Sequence, residues 1–430
     1  MQGSEHKLEH PNSYYAATAN ERTGYAPLQG PAEADVCIVG AGFTGISSAL
    51  TLAERGYSVA VVEANRVGWG ATGRNGGQLI AGISGEAKLE RKYGESVADM
   101  LWNLRWRGND IVLDRIGKYS ISCDLKPGYL EVASKPRHLR WLEEELDRLE
   151  KYRHPFEYRI LDHEQTCEAA GTTAFLGGLL TMRNGHLHPL NLCIGEARAA
   201  HGLGVRIFEQ SPAVRIEHGP RPRVMTDQGS VTADTVILAG NAYHRLEPRY
   251  LSGLTFPAGS YIIATTPLEP ALRRQLNPLD VAICEMNEIL DYYRLSADGR
   301  MLYGGRCNYS GRDPVSIQAA VSPRMLKLFP QLEGIPIEYE WGGKIGIVVN
   351  RIPALGRIRG NVYYCQGYSG HGVNATHIMG EVLADAIAGT LEHFDLFARI
   401  RHWRIPFGQT FGNQMIALGM LYYRMKDLIP

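Results

Sequence analysis

The chain has 430 residues, with 45 Lys and Arg against 45 Asp and Glu, and 44% of its residues are apolar. That length accommodates two or three domains with a real core, and the apolar content argues against disorder. Zero net charge argues against a nucleic-acid binder, and no apolar run approaches the ~20 residues of a membrane span.

Seven cysteines at 37, 123, 167, 193, 284, 307 and 365 form no C-x-x-C pair, so neither a disulfide framework nor a zinc site is expected, and no metal is assigned. The polar start MQGSEHKLEH lacks the apolar segment of a secretory signal. A soluble cytoplasmic protein with mostly buried, reduced cysteines is the expectation. Glycine is in excess at 48 residues, about 11% where ~7% is usual.

Residues 1–34, polar and punctuated by Pro11, Pro27 and Pro31, read as a lead-in arm. Asp35–Val39 then forms a short apolar strand that ends in Gly40-Ala41-Gly42-Phe43-Thr44-Gly45. Ile46, Ala49, Leu50 and Ala53 follow at helical spacing, with Gly56 placed to end the helix. Ser58 to Val62 is a second apolar strand, closed by Glu63, and the whole is a βαβ unit. Residues 86–118 are helix-like, and 141–152 put Leu142, Leu146 and Leu149 on one stripe. Between 205 and 240 the pattern turns to strands at Val205–Phe208, Ala213–Ile216, Arg223–Thr226 and Asp234–Gly240; the last is placed to rejoin the first sheet. Residues 258–310 alternate β-rich pieces with turns at Ala297-Asp298-Gly299 and Gly304-Gly305, as a separate antiparallel sheet would. Asn361–Cys365 is a strand, Gly367–Gly372 a glycine loop, and His377–Ala388 a helix with Ile378, Val382 and Ala386 in register. Strand, loop and helix at both ends predict one domain assembled from distant segments, with a second inserted.

A G-x-G-x-x-G that follows a strand, opens a helix and has an acid at the end of the next strand is a dinucleotide signature. The glycines let a diphosphate approach the positive end of the helix, and Glu63 can accept from the ribose hydroxyls while repelling a 2′-phosphate. The next stretch, Gly68-Trp69-Gly70-Ala71-Thr72-Gly73-Arg74-Asn75-Gly76-Gly77-Gln78-Leu79, is a second glycine-rich polar loop. It favours FAD over NAD, because the ring end of a long folded ligand needs backbone donors and a cation.

These segments resemble the FAD-dependent D-amino-acid oxidase superfamily, which includes glycine and sarcosine oxidases and D-amino-acid dehydrogenases. The matching pieces are Gly40–Gly45, Glu63, Ala71–Leu79, Gly128-Tyr129-Leu130, His188-Pro189, Asp234–Gly240 and Tyr368–Val373, in the family's order. Asn12–Ala17 and Arg74–Gln78 resemble, within it, the gamma-glutamylputrescine oxidoreductases. The resemblance implies an α/β (α+β overall) fold: a GR2-type Rossmann-like FAD domain from 35–85, 186–250 and 340–430, and a substrate domain with a mostly antiparallel sheet from 86–185 and 251–339. It implies that Gly40, Gly42 and Gly45, with Phe43 and Thr44, hold the pyrophosphate and Glu63 the ribose. Arg74, Asn75, Gly76, Gly77, Gln78 and Leu79 would line the phosphates and flavin, Val214 would meet adenine through its backbone, and Gly370, His371, Gly372 and Val373 would sit at the pyrimidine edge. Ala64, Arg66, Gly70, Ala71, Thr72, Ala239, Gly240 and Gly343 complete the implied cofactor set.

One departure bears on substrate. Amino-acid oxidases of the family follow a Trp-x-Gly stretch with an Arg that clamps the substrate carboxylate; here Trp341-Gly342-Gly343-Lys344-Ile345-Gly346 puts Ile345 at that position. The expectation is an amine with no carboxylate on the reacting carbon, such as a gamma-glutamylated polyamine, although Lys344 could replace the clamp in part. The stretch holds no cysteine, so non-covalent FAD is expected. The reaction would pass hydride to flavin N5, water would hydrolyse the imine to an aldehyde, and oxygen or another acceptor would take the electrons, oxygen giving hydrogen peroxide. His371 is a candidate for the flavin face or for shaping its loop, and Lys344 for substrate positioning or oxygen activation, or for pairing with Glu338 or Glu340. Trp341, Tyr261 and Arg294 are candidates for the substrate wall or for packing. Two alternatives stay open. One is a D-amino-acid or glycine/sarcosine-type enzyme, in its dehydrogenase form passing electrons to a membrane quinone, with Met415–Tyr423 touching lipid. The other is a non-catalytic carrier on this fold, against which both glycine loops stand.

Overall fold

The computed structural model describes residues 9–287, 290–308 and 313–404. The apolar run that precedes the first glycine turn forms the strand Gly30–Val39, paired in parallel with Val59–Val62 on one side and Gly229–Leu238 on the other. Arg206–Phe208 and Val362–Gln366 extend the sheet in parallel at its two flanks, and Ala354–Ile358 closes one edge antiparallel. Val36, Ile38, Ile237 and all of Val59–Val62 are buried, as expected of strands covered on both faces. The strand begins at Gly30, not Asp35: Gly30–Ala34, expected in the arm, pair with Gly229–Ala233. Strand order reverses beside Gly30–Val39, which opens a crevice at the carboxyl ends of these strands.

Four helices pack on this sheet: Phe43–Glu54, Glu95–Lys118, Pro189–Gly202 and Val373–Ile387. The helix-like stretch 86–118 divides at Gly94 (φ +84) into Glu86–Tyr93 and Glu95–Lys118. Expected in the substrate domain, it instead contributes Leu101, Leu104 and Val112 to the core of Ile46, Leu50, Leu192 and Ile378. A buried ionic knot explains why. Glu196 accepts from Arg115 Nη1 at 2.9 Å and faces His377 Nε2 at 3.0 Å, and Arg115 also donates to Ser47 and Thr51, so one cluster ties all four helices.

The second sheet runs in the order 337–347, 256–265, 301–308, 292–295, 282–285, 126–133, 177–186, 78–79, with Tyr158–Leu161 also on 177–186. Every pairing is antiparallel except that of Ala282–Glu285 with Lys126–Ala133. Gly304 and Gly305, expected as a turn, lie inside the strand Met301–Asn308, where cross-strand side chains occupy the space a Cβ would need: the Tyr292 ring over Gly304 and the Asp291 carboxylate over Gly305. Ile337–Ile347 belongs to this sheet, so the chain returns to the first sheet after Ile347, later than the expected 340. Residues 13–17 are not a solvated arm. Ser13 caps the helix Tyr14–Ala17, and Tyr15, fully buried, meets Trp341 and His188 with ring centroids 5.3 and 4.9 Å away. No helix among the described residues is long and apolar enough to cross a membrane; Met415–Tyr423 lies outside them.

Candidate active site

Three loops meet at the mouth of the first sheet. In the opening turn Gly40 has φ +106 and runs under the next strand: a Cβ there would lie 3.1 Å from the Ala239 carbonyl and the Gly240 nitrogen. A Cβ on Gly45 would overlap the Gly40 carbonyl oxygen. Gly42 caps the helix Phe43–Glu54 and offers no side-chain cap, while Thr72 Oγ1 accepts the Phe43 N–H at 3.0 Å. The result is a glycine cradle, bordered by the Thr72 hydroxyl, on the positive end of a helix, which fits a diphosphate. Glu63 ends the neighbouring strand, and its carboxylate accepts the N–H groups of Ala41 (2.7 Å) and Asn65 (2.9 Å). Burial nevertheless pushes its pKa upward. Among the described residues its partners are backbone N–H groups, and its remaining lone pairs are of the kind that a ribose hydroxyl can donate to. These features together fit FAD.

The second loop is shaped by Asn75, whose Nδ2 donates to the Ala71 and Thr72 carbonyls while Oδ1 accepts the Gly77 N–H. Arg74 donates through Nε to the Trp69 carbonyl at 2.9 Å, lies 4.3 Å above the Trp69 ring and reaches the Gly342 carbonyl. Trp341 returns a bond from Nε1 to the Arg74 carbonyl at 3.1 Å, and the Arg74 stem lies where a Cβ on Gly343 would crowd it. Gln78 donates to the Ile283 carbonyl, and Leu79 is buried. Gly70 lies against Tyr243. Arg66 is committed elsewhere, paired with Glu9 and the buried Glu209.

The closing loop is fastened to both domains. The Gly367 N–H donates to Asn241 Oδ1, and Ser369 (φ +54) donates its N–H to the Gly346 carbonyl. Gly370 has φ +98, Gly372 caps the helix Val373–Ile387, and the side chain of His371 is exposed. Val214 is half-exposed, and its N–H donates to Met225, which leaves the carbonyl for any backbone contact with adenine.

The face of the second sheet turned toward these loops carries a row across the strands: Trp341, Ile262, Gly304, Tyr292, Cys284 and Glu131. Tyr292, absent from the sequence reading, fills the gap between Gly76 and Gly304; glycines at both places were the available signal. Burial, with Glu145 adding to it, pushes Glu131 up to about 7. Alternation along Ile337–Ile347 puts Ile345 on the face of Trp341 and Gly343, and Lys344 on the opposite one. Lys344 donates its N–H to Tyr243, while Glu338 pairs with Arg300 and Glu340 accepts the Gln318 N–H, so neither acid takes the lysine. Tyr261 also faces away, bonded to Asp313 and packed with Ile263, Tyr293 and Tyr303. Arg294 is buried beneath Gly76 and Gly77, with its donors occupied.

The model of the FAD dependent oxidoreductase family (DAO) matches residues 35–386. Gamma-glutamylputrescine oxidoreductase of Escherichia coli (strain K12) is 43% identical over 422 residues, spanning 97% of this chain and 99% of that protein. Among solved structures, glycine oxidase from Bacillus cereus superposes with a TM-score of 0.69 at 22% identity, over 85% of this chain and 99% of that one. L-amino acid deaminase from Proteus vulgaris gives 0.71 at 20% identity, over 89% and 100%.

Proposed function

The chain belongs to the FAD dependent oxidoreductase family, and on that premise we propose that it oxidises the C–N bond of a neutral amine, a gamma-glutamylated polyamine such as gamma-glutamylputrescine. The products are an aldehyde and, with oxygen as acceptor, hydrogen peroxide. The observation that carries this reading is Ile345, which shares its face with Trp341 and Gly343 beside Arg74. A branched alkyl group there offers a substrate carboxylate no partner, and an unpaired buried anion is costly. Arg294 cannot serve instead, because neutral acceptors already take its donors. The name of the E. coli relative points to the same substrate class.

In this reading Gly40, Gly42 and Gly45 hold the diphosphate against the helix, Glu63 the ribose, and the Val214 carbonyl the adenine. Arg74–Leu79 and Gly370–Val373 hold the two edges of the ring. When bound, FAD supplies the two-electron acceptor for the carbon beside nitrogen. Trp341 and Tyr292 wall the space before the second loop, exclude water and orient the amine. An apolar wall also disfavours the ammonium form, so the amine is held with its lone pair free. His371, on the closing loop, is assigned to the flavin face or to shaping that loop; Lys344, on the far face, takes no part. FAD is bound non-covalently, and the free, mostly buried cysteines among the described residues suit a reducing cytoplasm.

The test is anaerobic mixing of the purified yellow protein with gamma-glutamylputrescine, putrescine, sarcosine and D-alanine. The flavin absorbance is expected to bleach with gamma-glutamylputrescine. Bleaching by D-amino acids alone overturns the proposal.

A further inference from the structure

Arg294, on the strand Tyr292–Leu295, is 4% exposed, and every acceptor it meets is uncharged. Nε donates to the Gly76 carbonyl (2.8 Å), and Nη1 to the Leu295 carbonyl (3.3 Å) and toward His186 Nδ1 (3.4 Å). Nη2 donates to the Leu187 carbonyl (2.9 Å) and Tyr15 Oη (3.1 Å). Among the described residues no carboxylate pairs with it. Other buried guanidinium groups here are matched: Arg115 by Glu196, and Arg300 by Asp298 and Glu338.

The neighbours do not supply an anion either. Burial and the Arg294 charge push His186 and His188 down to about 3, so both stay neutral. Burial raises the Tyr15 phenol, which keeps its proton. A buried cation without a matching anion is unfavourable and leaves its field uncompensated. The group sits directly against the second loop: a Cβ on Gly77 would lie 2.7 Å from Nη2.

We infer that Arg294 is a positioning residue whose unneutralised charge acts through the Gly76–Gly77 turn on the ring of bound FAD, raising its affinity for electrons and for anions. The inference rests on the reading that this loop holds the ring. The planar fork fixes the Gly76 carbonyl and the Leu187 carbonyl at once, so the loop is held in place before the cofactor binds. In a dry interior the fixed charge is weakly screened and favours the reduced, more negative ring over the oxidised one.

The experiment compares flavin-loaded wild type, R294M, R294K and H186E by two readouts, the two-electron midpoint potential and the dissociation constant of sulfite followed in the flavin spectrum. R294M should weaken sulfite binding at least tenfold and lower the potential by at least about 30 mV, the equivalent of tenfold for a two-electron couple. R294K, which keeps the charge, should recover most of both. H186E sets a carboxylate beside the guanidinium and should lower both as R294M does, so it decides the matter if R294M does not fold. Wild-type values in flavin-loaded R294M or H186E overturn the inference alone. Wild-type protein that binds no FAD overturns the ring-binding reading and this inference with it.

Discussion

The hydroxyl of Thr44, in the first turn of the opening helix, lies 2.7 Å from that of Tyr368 in the closing loop, 324 residues further along the chain. Tyr368 donates to Cys365 Sγ at 3.2 Å, so its oxygen is left to accept from Thr44. The two glycine loops are thus fastened to each other beneath the cofactor groove. A buried neutral hydrogen bond contributes about 1 kcal/mol. The double-mutant cycle T44V/Y368F should show a coupling near that value in thermal or urea unfolding. Strictly additive losses would mean the loops are held independently.

Gly45 tests the cradle. Because an added methyl would overlap the Gly40 carbonyl, G45A should strain the turn by roughly 1–3 kcal/mol. The purified variant should carry much less flavin per chain than wild type, read as the ratio of flavin to protein absorbance. Full occupancy would show that the turn tolerates a side chain and that the diphosphate lies elsewhere.

Ile345 tests specificity. I345R places a guanidinium on the strand face that carries Trp341 and Gly343, and in the proposed reading a bidentate carboxylate pair there is worth about 1.5–3 kcal/mol. The ratio of kcat/KM for D-alanine or glycine over that for gamma-glutamylputrescine should rise tenfold or more. An unchanged ratio would separate this position from the substrate.

Glu196 tests the ionic knot, and its sign follows from its surroundings. Burial alone would raise its pKa, but His377 and Arg115 outweigh burial and leave it lowered. A carboxylate with a depressed folded pKa contributes stability that is complete above its unfolded value near 4.5 and is lost as pH falls through the folded value. E196Q leaves Arg115 without its anion and should cost about 3–5 kcal/mol at pH 7. The gap between variant and wild type should narrow below pH 4.5. A gap that stays constant with pH would assign the loss to packing.

The local patterns were legible in the sequence because their causes are local. Gly40, Gly42 and Gly45 are set by a turn within six residues, and Glu63 by the end of the next strand; apolar runs and helical spacing marked most of the strands and helices around them. Ile345 could be read as an unpaired position because it lies a short step from Trp341. What the chain's linear order could not reveal was decided across the sheets. The helix Glu95–Lys118 joins the helices of the first sheet because Arg115 meets Glu196, which in turn faces His377, and Gly304 sits in a strand because Tyr292 needs the room. Tyr261 and Lys344 turn away from the groove because strand alternation sets their side. Arg294 becomes a buried, unmatched cation only once four groups from three distant segments, with the neighbouring Leu295 carbonyl, close around it. Steric limits on a turn are properties of a few consecutive residues; burial and electrostatic pairing belong to whatever the completed fold brings near, and only the tertiary structure decides them.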